Sequence, residues 1–409
     1  MSDWAFVEHV TQQLLRPRPG DSKHPTLWPS EASCTFQNEH EETVVAGKCR
    51  RSRFFRYLTY SYEFYPKYKV WRPLVERLKT EAKAVDKYML WIWAAGELYE
   101  EYLIRQSKCS GIFVSEQVPV YVKSHNVSGK KDIVVVNPKT NKLSIVEAKS
   151  VYGFGANTVL GTPSQRAKGV MGVPRESNLM QIAIYHWWSA SMDDAYEESR
   201  LVYGARDTGR YAEYLVRTVE EEGTIWVEYK PHHPYMGQWV RTKMTINSIL
   251  DEFSNTQRAV DGGRIPERDF DQKFSEEKLA VMYERDEFAK GDKEKYEKIQ
   301  ARKAENAWIL HMQTFEDEEE LIEEAVRIRD ILLAPVNKLL DAYFAYEEKP
   351  EEKKALAKYD KTRTKLIAAL RAVALKKELT PLEKGNWQCS YCKYAPICYD
   401  KEGNPQDIE

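Results

Sequence analysis

Apolar and polar positions divide the chain into segments of different period. Residues 1–48 hold no sustained period, and Pro17, Pro19, Pro25 and Pro29 interrupt them, which predicts an irregular N-terminal arm. From 70 to 108, Trp71, Leu74, Leu78, Tyr88, Ile92, Leu98 and Leu103 recur at roughly helical spacing. Residues 112–122 read as a strand. The strongest local signal comes next. Asp132-Ile133-Val134-Val135-Val136 is a β-branched run, Asn137-Pro138-Lys139-Thr140-Asn141 is a turn, and Leu143-Ser144-Ile145-Val146-Glu147-Ala148-Lys149 is a second strand. Together they predict a β-hairpin. Residues 150–177 carry Gly153, Gly155, Gly161, Gly169 and Gly172 with Pro163 and Pro174, the composition of a long loop. A helical pattern returns over 178–191, and 199–250 alternates like strands. Residues 265–308 are dense in Lys and Glu with few apolar anchors, which predicts solvated helices. Further helices are expected over 317–378, and the end is short and rich in cysteine.

These patterns order the chain as an arm (1–48), an α/β core (49–264), a charged helical insertion (265–310), further helices (311–385) and a cysteine segment (386–409). Composition narrows the class. A hydrophobic fraction of 42% with 25 Tyr and 11 Trp excludes a disordered chain. Charged residues make up 30%, yet the net charge is only −2, so any surface for a polyanion must be local. No apolar run reaches the ~18 residues of a membrane helix, and the first residues lack the basic and apolar regions of a signal peptide. A cytoplasmic protein with no membrane partner is expected. In a reducing compartment the six cysteines are poor candidates for disulfides, which makes their spacing informative.

The hairpin carries the first candidate chemistry. With its turn centred between Lys139 and Thr140, Asp132 falls opposite Glu147. Directly opposed residues share a face, with Cβ atoms about 4.5–5.5 Å apart. Lys149, two residues beyond Glu147, lies on the same face. Two carboxylates so close repel unless a cation sits between them, and a hard divalent ion such as Mg²⁺ or Mn²⁺ resolves the conflict. Such an ion can activate water and stabilise the charge developing on a phosphodiester. By itself the pattern is loose, and three charges on the solvent face of an amphipathic hairpin are an equal reading. The apolar Ile145, Val146, Ala148 and Val151 argue for a central strand instead.

The cysteines carry the second. Cys389, Cys392 and Cys398 stand as C-x2-C-x5-C, three thiols that suit an iron–sulfur cluster or zinc once a fourth ligand is found. Cys49 and Cys34 both lie upstream, and Cys109 reads as a buried core thiol. Local basic groups are Arg50, Arg51, Arg53 and Arg56, then Lys130 and Lys131, then Arg166, Lys168 and Arg175. Tyr152 and Phe154 could stack on bases or pack within the loop.

Gly129-Lys130-Lys131-Asp132, then Glu147-Ala148-Lys149, then Gln181-Ile182-Ala183-Ile184-Tyr185 resembles the PD-(D/E)XK nuclease superfamily, and its RecB-like branch in particular. Gly96-Glu97-Leu98-Tyr99-Glu100 fits that family's upstream Gly-x-x-x-His/Glu element, with Glu100 where many relatives carry His. The resemblance implies a restriction-endonuclease-like core, a mixed sheet flanked by helices. It also implies an Mg²⁺- or Mn²⁺-dependent DNA exonuclease acting on single strands or ends, in recombination, repair, replication or CRISPR adaptation, alongside a helicase, recombinase or integrase. A phage origin would place it in the host cytoplasm. Metal would be held by Glu100, Asp132, Glu147 and the Ala148 carbonyl. Lys149, Gln181 and Tyr185 would complete the catalytic set, and Arg50, Arg51, Arg53, Lys130, Lys131, Arg166 and Lys168 would contact DNA. Members with an iron–sulfur domain, such as AddB-type and CRISPR-associated nucleases, carry one cysteine before the core and three near the C-terminus. The resemblance therefore implies a [4Fe–4S] cluster on Cys49, Cys389, Cys392 and Cys398, in a C-terminal lobe that clasps the two ends. The competing functions are a non-catalytic iron–sulfur DNA-binding subunit and a restriction-type endonuclease.

Overall fold

The alternating and β-branched runs pair as strands. They are β1 (Ser33–Gln37), β2 (Thr43–Gly47), β3 (Phe113–Val122), β4 (Val127–Val136), β5 (Leu143–Val151), β6 (Ser199–Ala205), β7 (Tyr211–Glu221), β8 (Thr224–His233) and β9 (Val240–Thr245). The structure, a computed structural model, describes residues 25–39, 41–84, 86–193, 195–328, 334–347 and 353–408. The arm's first part, with Pro17 and Pro19, lies outside the described residues. Its remainder is not irregular as the prolines suggest: β1 and β2 pair as an antiparallel hairpin, Ser33 opposite Gly47.

Strands β3 to β9 form one seven-stranded sheet in sequence order. All neighbours are antiparallel except β5 and β6. A parallel pair needs a long crossover. Here it is built from α4 (Gly153–Leu160), α5 (Pro163–Ala167) and α6 (Glu176–Met192). The glycine-rich stretch expected as a loop is thus partly helical. Pro163 opens α5, and Thr162 caps it by accepting from the Gln165 N–H.

The earlier helices are α1 (Arg50–Phe64), α2 (Arg72–Thr80) and α3 (Lys87–Cys109), so the helical stretch expected over 70–108 breaks between α2 and α3. Helices cover both faces of the sheet. Leu103 and Ile104 of α3 pack against Ile133, Val135, Val146 and Val202. Leu179, Met180, Ile182, Ala183 and Ile184 of α6 are all buried, in one core with Ile145, Leu201 and Tyr203. Each of the buried Leu, Met and Ile side chains contributes about 1.5–3 kcal/mol by leaving water. α7 (Ile246–Asp261) continues the chain beyond the sheet and joins that core through Ile249, Leu250 and Phe253. The architecture is a mixed α/β fold with β5 an interior strand, third of the seven.

Two compact units result: residues up to 272 together with 385–409, and residues 273–384. The second unit is helical, with α8 (Glu276–Glu284), α9 (Lys290–Gln313), α10 (Glu318–Arg327), α11 (Ala334–Glu347) and α12 (Lys353–Arg371). α9 runs through residue 310, where the charge pattern predicts a boundary. Met312, Leu321, Leu340 and Leu366 form this unit's core. The cysteine segment, with α13 (Trp387–Tyr391) and α14 (Ala395–Cys398), is not a separate lobe. Ile397, Cys398 and Tyr399 belong to the main core of the first unit, and the Tyr394 ring sits 5.3 Å from that of Phe55 on α1. No helix among the described residues is long and apolar enough to cross a membrane.

Candidate active site

The β4–β5 ladder runs from Val136 opposite Leu143 to Ile133 opposite Val146, the register that the turn predicts. It stops there, one step before Asp132 and Glu147. Instead of extending the ladder, Asp132 accepts the Ala148 N–H through its side chain, at 2.9 Å. The two side chains still share the point where the strands part, each acting on the other's charge, and Lys149 acts on both. Lys149 Nζ lies 2.5 Å from Glu147 Oε1. The set expected from the hairpin is therefore brought together, although by side chains at a ladder end and not by a regular cross-strand pair.

Its electrostatics are those of carboxyls taken out of water. Glu147 is fully buried. Burial, reinforced by Asp132, pushes its carboxyl up to about 8. Burial raises Asp132 as well, against the opposing pull of Lys149 and the Ala148 N–H. Burial lowers Lys149, but Glu147 and Asp132 outweigh it and hold the ammonium charged. Glu147 Oε2 is buried with no hydrogen-bond partner. A buried, unpartnered carboxylate oxygen is costly unless something outside the protein completes it.

Glu100 reaches this group from α3. Burial, then Asp132, push its carboxyl up to about 7. Glu100 also acts on Glu147, so it is the acid of α3 turned toward the hairpin, whereas Glu97 enters only as a minor influence on Glu100. Gln117 donates to Glu100 at 2.5 Å. Gln117 has φ +52° and lies in β3 across from Asp132, between the pairs Glu116–Ile133 and Val118–Lys131. Strained backbone of this kind gathers at functional sites. The sequence offers no signal for it, because left-handed backbone in a glutamine is invisible to periodicity.

Gln181 and Tyr185, one turn apart on α6, are buried behind the hairpin, with Gln181 Nε2 3.5 Å from the Tyr185 hydroxyl. Burial raises the Tyr185 phenol, and Glu147 raises it further. Its neighbour is Gly129, where a Cβ would lie 2.5 Å from the hydroxyl. Gly129→Ala is expected to cost about 1–3 kcal/mol by overpacking. The denaturation midpoint should fall, and Tyr185→Phe in the same chain should restore part of the loss.

The basic groups divide. Arg53 is buried, donating to the Glu252 carbonyl, Ser33 and Thr256. Lys131 is buried too, donating to Ser189 and Tyr196. Both were expected to contact DNA, and burial removes them from any such surface. Arg50 is ion-paired with Asp269 at 2.6 Å, and Arg51 donates to the Pro266 carbonyl. Lys130 and Lys168 are exposed, while Arg166 is half-buried and donates to the Gly161 carbonyl.

Four cysteines share a neighbourhood. Burial, then Asp269, push Cys49 up to about 12, with further contributions from Cys392 and Cys398. Burial pushes Cys389 up to about 11, and the same two thiols add to it. Cys392 Sγ is 3.8 Å from Ser52 Oγ at the start of α1. Burial also raises Cys398, while Arg51 favours its thiolate. Cys34 stands apart, with Ser248 Oγ at 2.9 Å, and Cys109 is exposed and not the core thiol expected.

Among the described residues, no three His, Cys, Asp or Glu side chains already converge as a metal cage. The hairpin offers two carboxylates and a carbonyl, and Mg²⁺ is commonly held by one or two carboxylates with waters completing its shell. The orphaned Glu147 oxygen fits that donor set. The four thiols have the chemistry of a cluster's donor set, though among the described residues they do not already converge on one point. No family model, no curated protein and no solved structure matches this chain.

Proposed function

We propose that the chain is a metal-dependent nuclease of the PD-(D/E)XK superfamily, in its RecB-like branch, hydrolysing DNA phosphodiesters on single strands or ends. The observation that carries this reading is Glu147, fully buried beside Asp132 and Lys149 with one carboxylate oxygen unpartnered. Asp132, Glu147 and the Ala148 carbonyl would hold Mg²⁺ or Mn²⁺, with Glu100 as a further ligand. The ion would supply Lewis acidity toward the phosphate and lower the pKa of water. Lys149 orients the attacking water and offsets charge building on the phosphate. Tyr185 and Gln181 back the hairpin and fix its position relative to α6. Cys49, Cys389, Cys392 and Cys398 would hold a [4Fe–4S] cluster that joins α1 to the C-terminal segment.

Incubating end-labelled linear and circular single strands with the chain and Mn²⁺ tests the substrate. Release of label from linear strands, with circles left intact, is expected. Cutting of circular duplex at a fixed sequence would replace the exonuclease by a restriction-type enzyme. No cleavage of any form would leave a non-catalytic binding subunit.

A further inference from the structure

Two exposed rings stand on the cysteine segment, Trp387 at 58% and Tyr391 at 74% exposure, with centroids 6.5 Å apart. Neither ring is spent on the core that the same segment enters through Tyr394 and Ile397. Lys48 lies over Trp387, Nζ to ring centroid 5.9 Å. The next residue, Gln388, donates to the Gly47 carbonyl at 2.7 Å, which fixes the rings beside the end of β2. Gly47 in turn donates to Glu176 Oε2 at 3.3 Å, so the same backbone adjoins the start of α6, where Arg175 is the capping residue. The Arg175 guanidinium lies against Gly155, next to Phe154, whose ring is 86% exposed.

Arg175 also donates its backbone N–H to the Tyr203 hydroxyl at 3.1 Å, and Tyr203 pairs in register with Lys149, which ties this end of α6 to the strand that carries Glu147. Of the acids nearby, Glu31 pairs with Arg56, Glu176 accepts the Gly47 N–H, and Glu147 pairs with Lys149. Lys48 and Arg175 beside exposed rings suit a polyanion, whose phosphates meet the cations while its bases stack on the ring faces.

We propose that Trp387 and Tyr391 form a base-stacking platform that leads single-stranded nucleic acid past Lys48 and Arg175 to the Asp132–Glu147 pair. This rests on the nuclease reading for its endpoint but not for its binding. The platform gives the cysteine segment a second task, because whatever holds that segment against α1 also sets the distance from the stacked base to the carboxylates.

Anisotropy of a labelled oligothymidylate in Ca²⁺ tests it. Trp387→Ala and Tyr391→Ala should each weaken binding about tenfold or more, with the salt dependence unchanged. Lys48→Ala and Arg175→Ala should each flatten the slope of log K against log salt by about 0.7. Trp387→Phe should retain most of the affinity, and 2-aminopurine in the strand should be quenched by the wild-type chain and less so by Trp387→Ala. Unchanged affinity in both ring-to-alanine variants would overturn the platform. A wild-type chain that binds the strand but leaves it uncut in Mn²⁺ would sink the hydrolase and keep the platform. One that cuts strands while both ring variants bind and cut equally would sink the platform alone.

Discussion

Glu147→Gln is expected to give a metal-free chain that is more stable than wild type at pH 9 and yet inactive. The carboxyl stands at about 8 in the folded chain against 4.5 ordinarily, because it is buried beside Asp132. Between those values the folded chain keeps a proton that the unfolded chain has lost. Stability of the metal-free protein therefore falls as pH rises from about 4.5 through about 8, then levels off. Glutamine carries no such charge, so the variant escapes this loss, and Lys149 keeps Asp132 as a partner. At ~1.4 kcal/mol per pH unit the difference reaches a few kcal/mol at pH 9 and vanishes near pH 4. Mn²⁺ should raise the midpoint of the wild type and leave the variant's unchanged. Activity should fall about a thousandfold or more, since metal stabilisation of the transition state supplies several kcal/mol. A wild type whose thermal midpoint matches the variant's at both pH values would remove the buried-carboxylate account.

The second large effect concerns the cysteines. The chain purified without oxygen should be brown, with about four irons per molecule. Cys49→Ser should lose the iron and much of its stability, because metal-binding free energy becomes folding free energy where ligands come from distant parts of the chain. The thiols of Cys49, Cys389 and Cys398 are all raised by burial, so without metal they are held in the neutral form. Cys34→Ser and Cys109→Ser should keep their iron, since Cys34 faces Ser248 and Cys109 faces solvent. Stoichiometric zinc without iron, or full iron in Cys49→Ser, would contradict the cluster.

Much of the sheet was legible in the sequence because its signals are local. The β-branched stretch from Ile133 to Val136, the turn at Asn137 to Asn141 and the run from Leu143 set a register that the ladder keeps from Val136–Leu143 to Ile133–Val146. The Gln181/Tyr185 helix was legible for the same reason. What escaped depends on distant partners. Arg53 sits in a run that reads as a basic patch, but Ser33, Glu252 and Thr256 enclose it. Lys131 is next to Asp132 in sequence and turned inward to Ser189 and Tyr196 in space. The β1–β2 hairpin hid among prolines, and α4 and α5 hid among glycines, since both patterns score as breaks before packing is known. Lys48 and Trp387 carry no periodic mark at all. They acquire meaning only once Gln388 is bonded to Gly47.

Metal-dependent catalysis at the buried Asp132–Glu147 pair is tested most directly by single-turnover release of label from an end-labelled single strand. The comparison is wild type, Asp132→Ala and Glu147→Gln, each with and without Mn²⁺. Release is expected only from the wild type with Mn²⁺, while all three chains keep the same circular-dichroism spectrum. Release by either variant at the wild-type rate would contradict it.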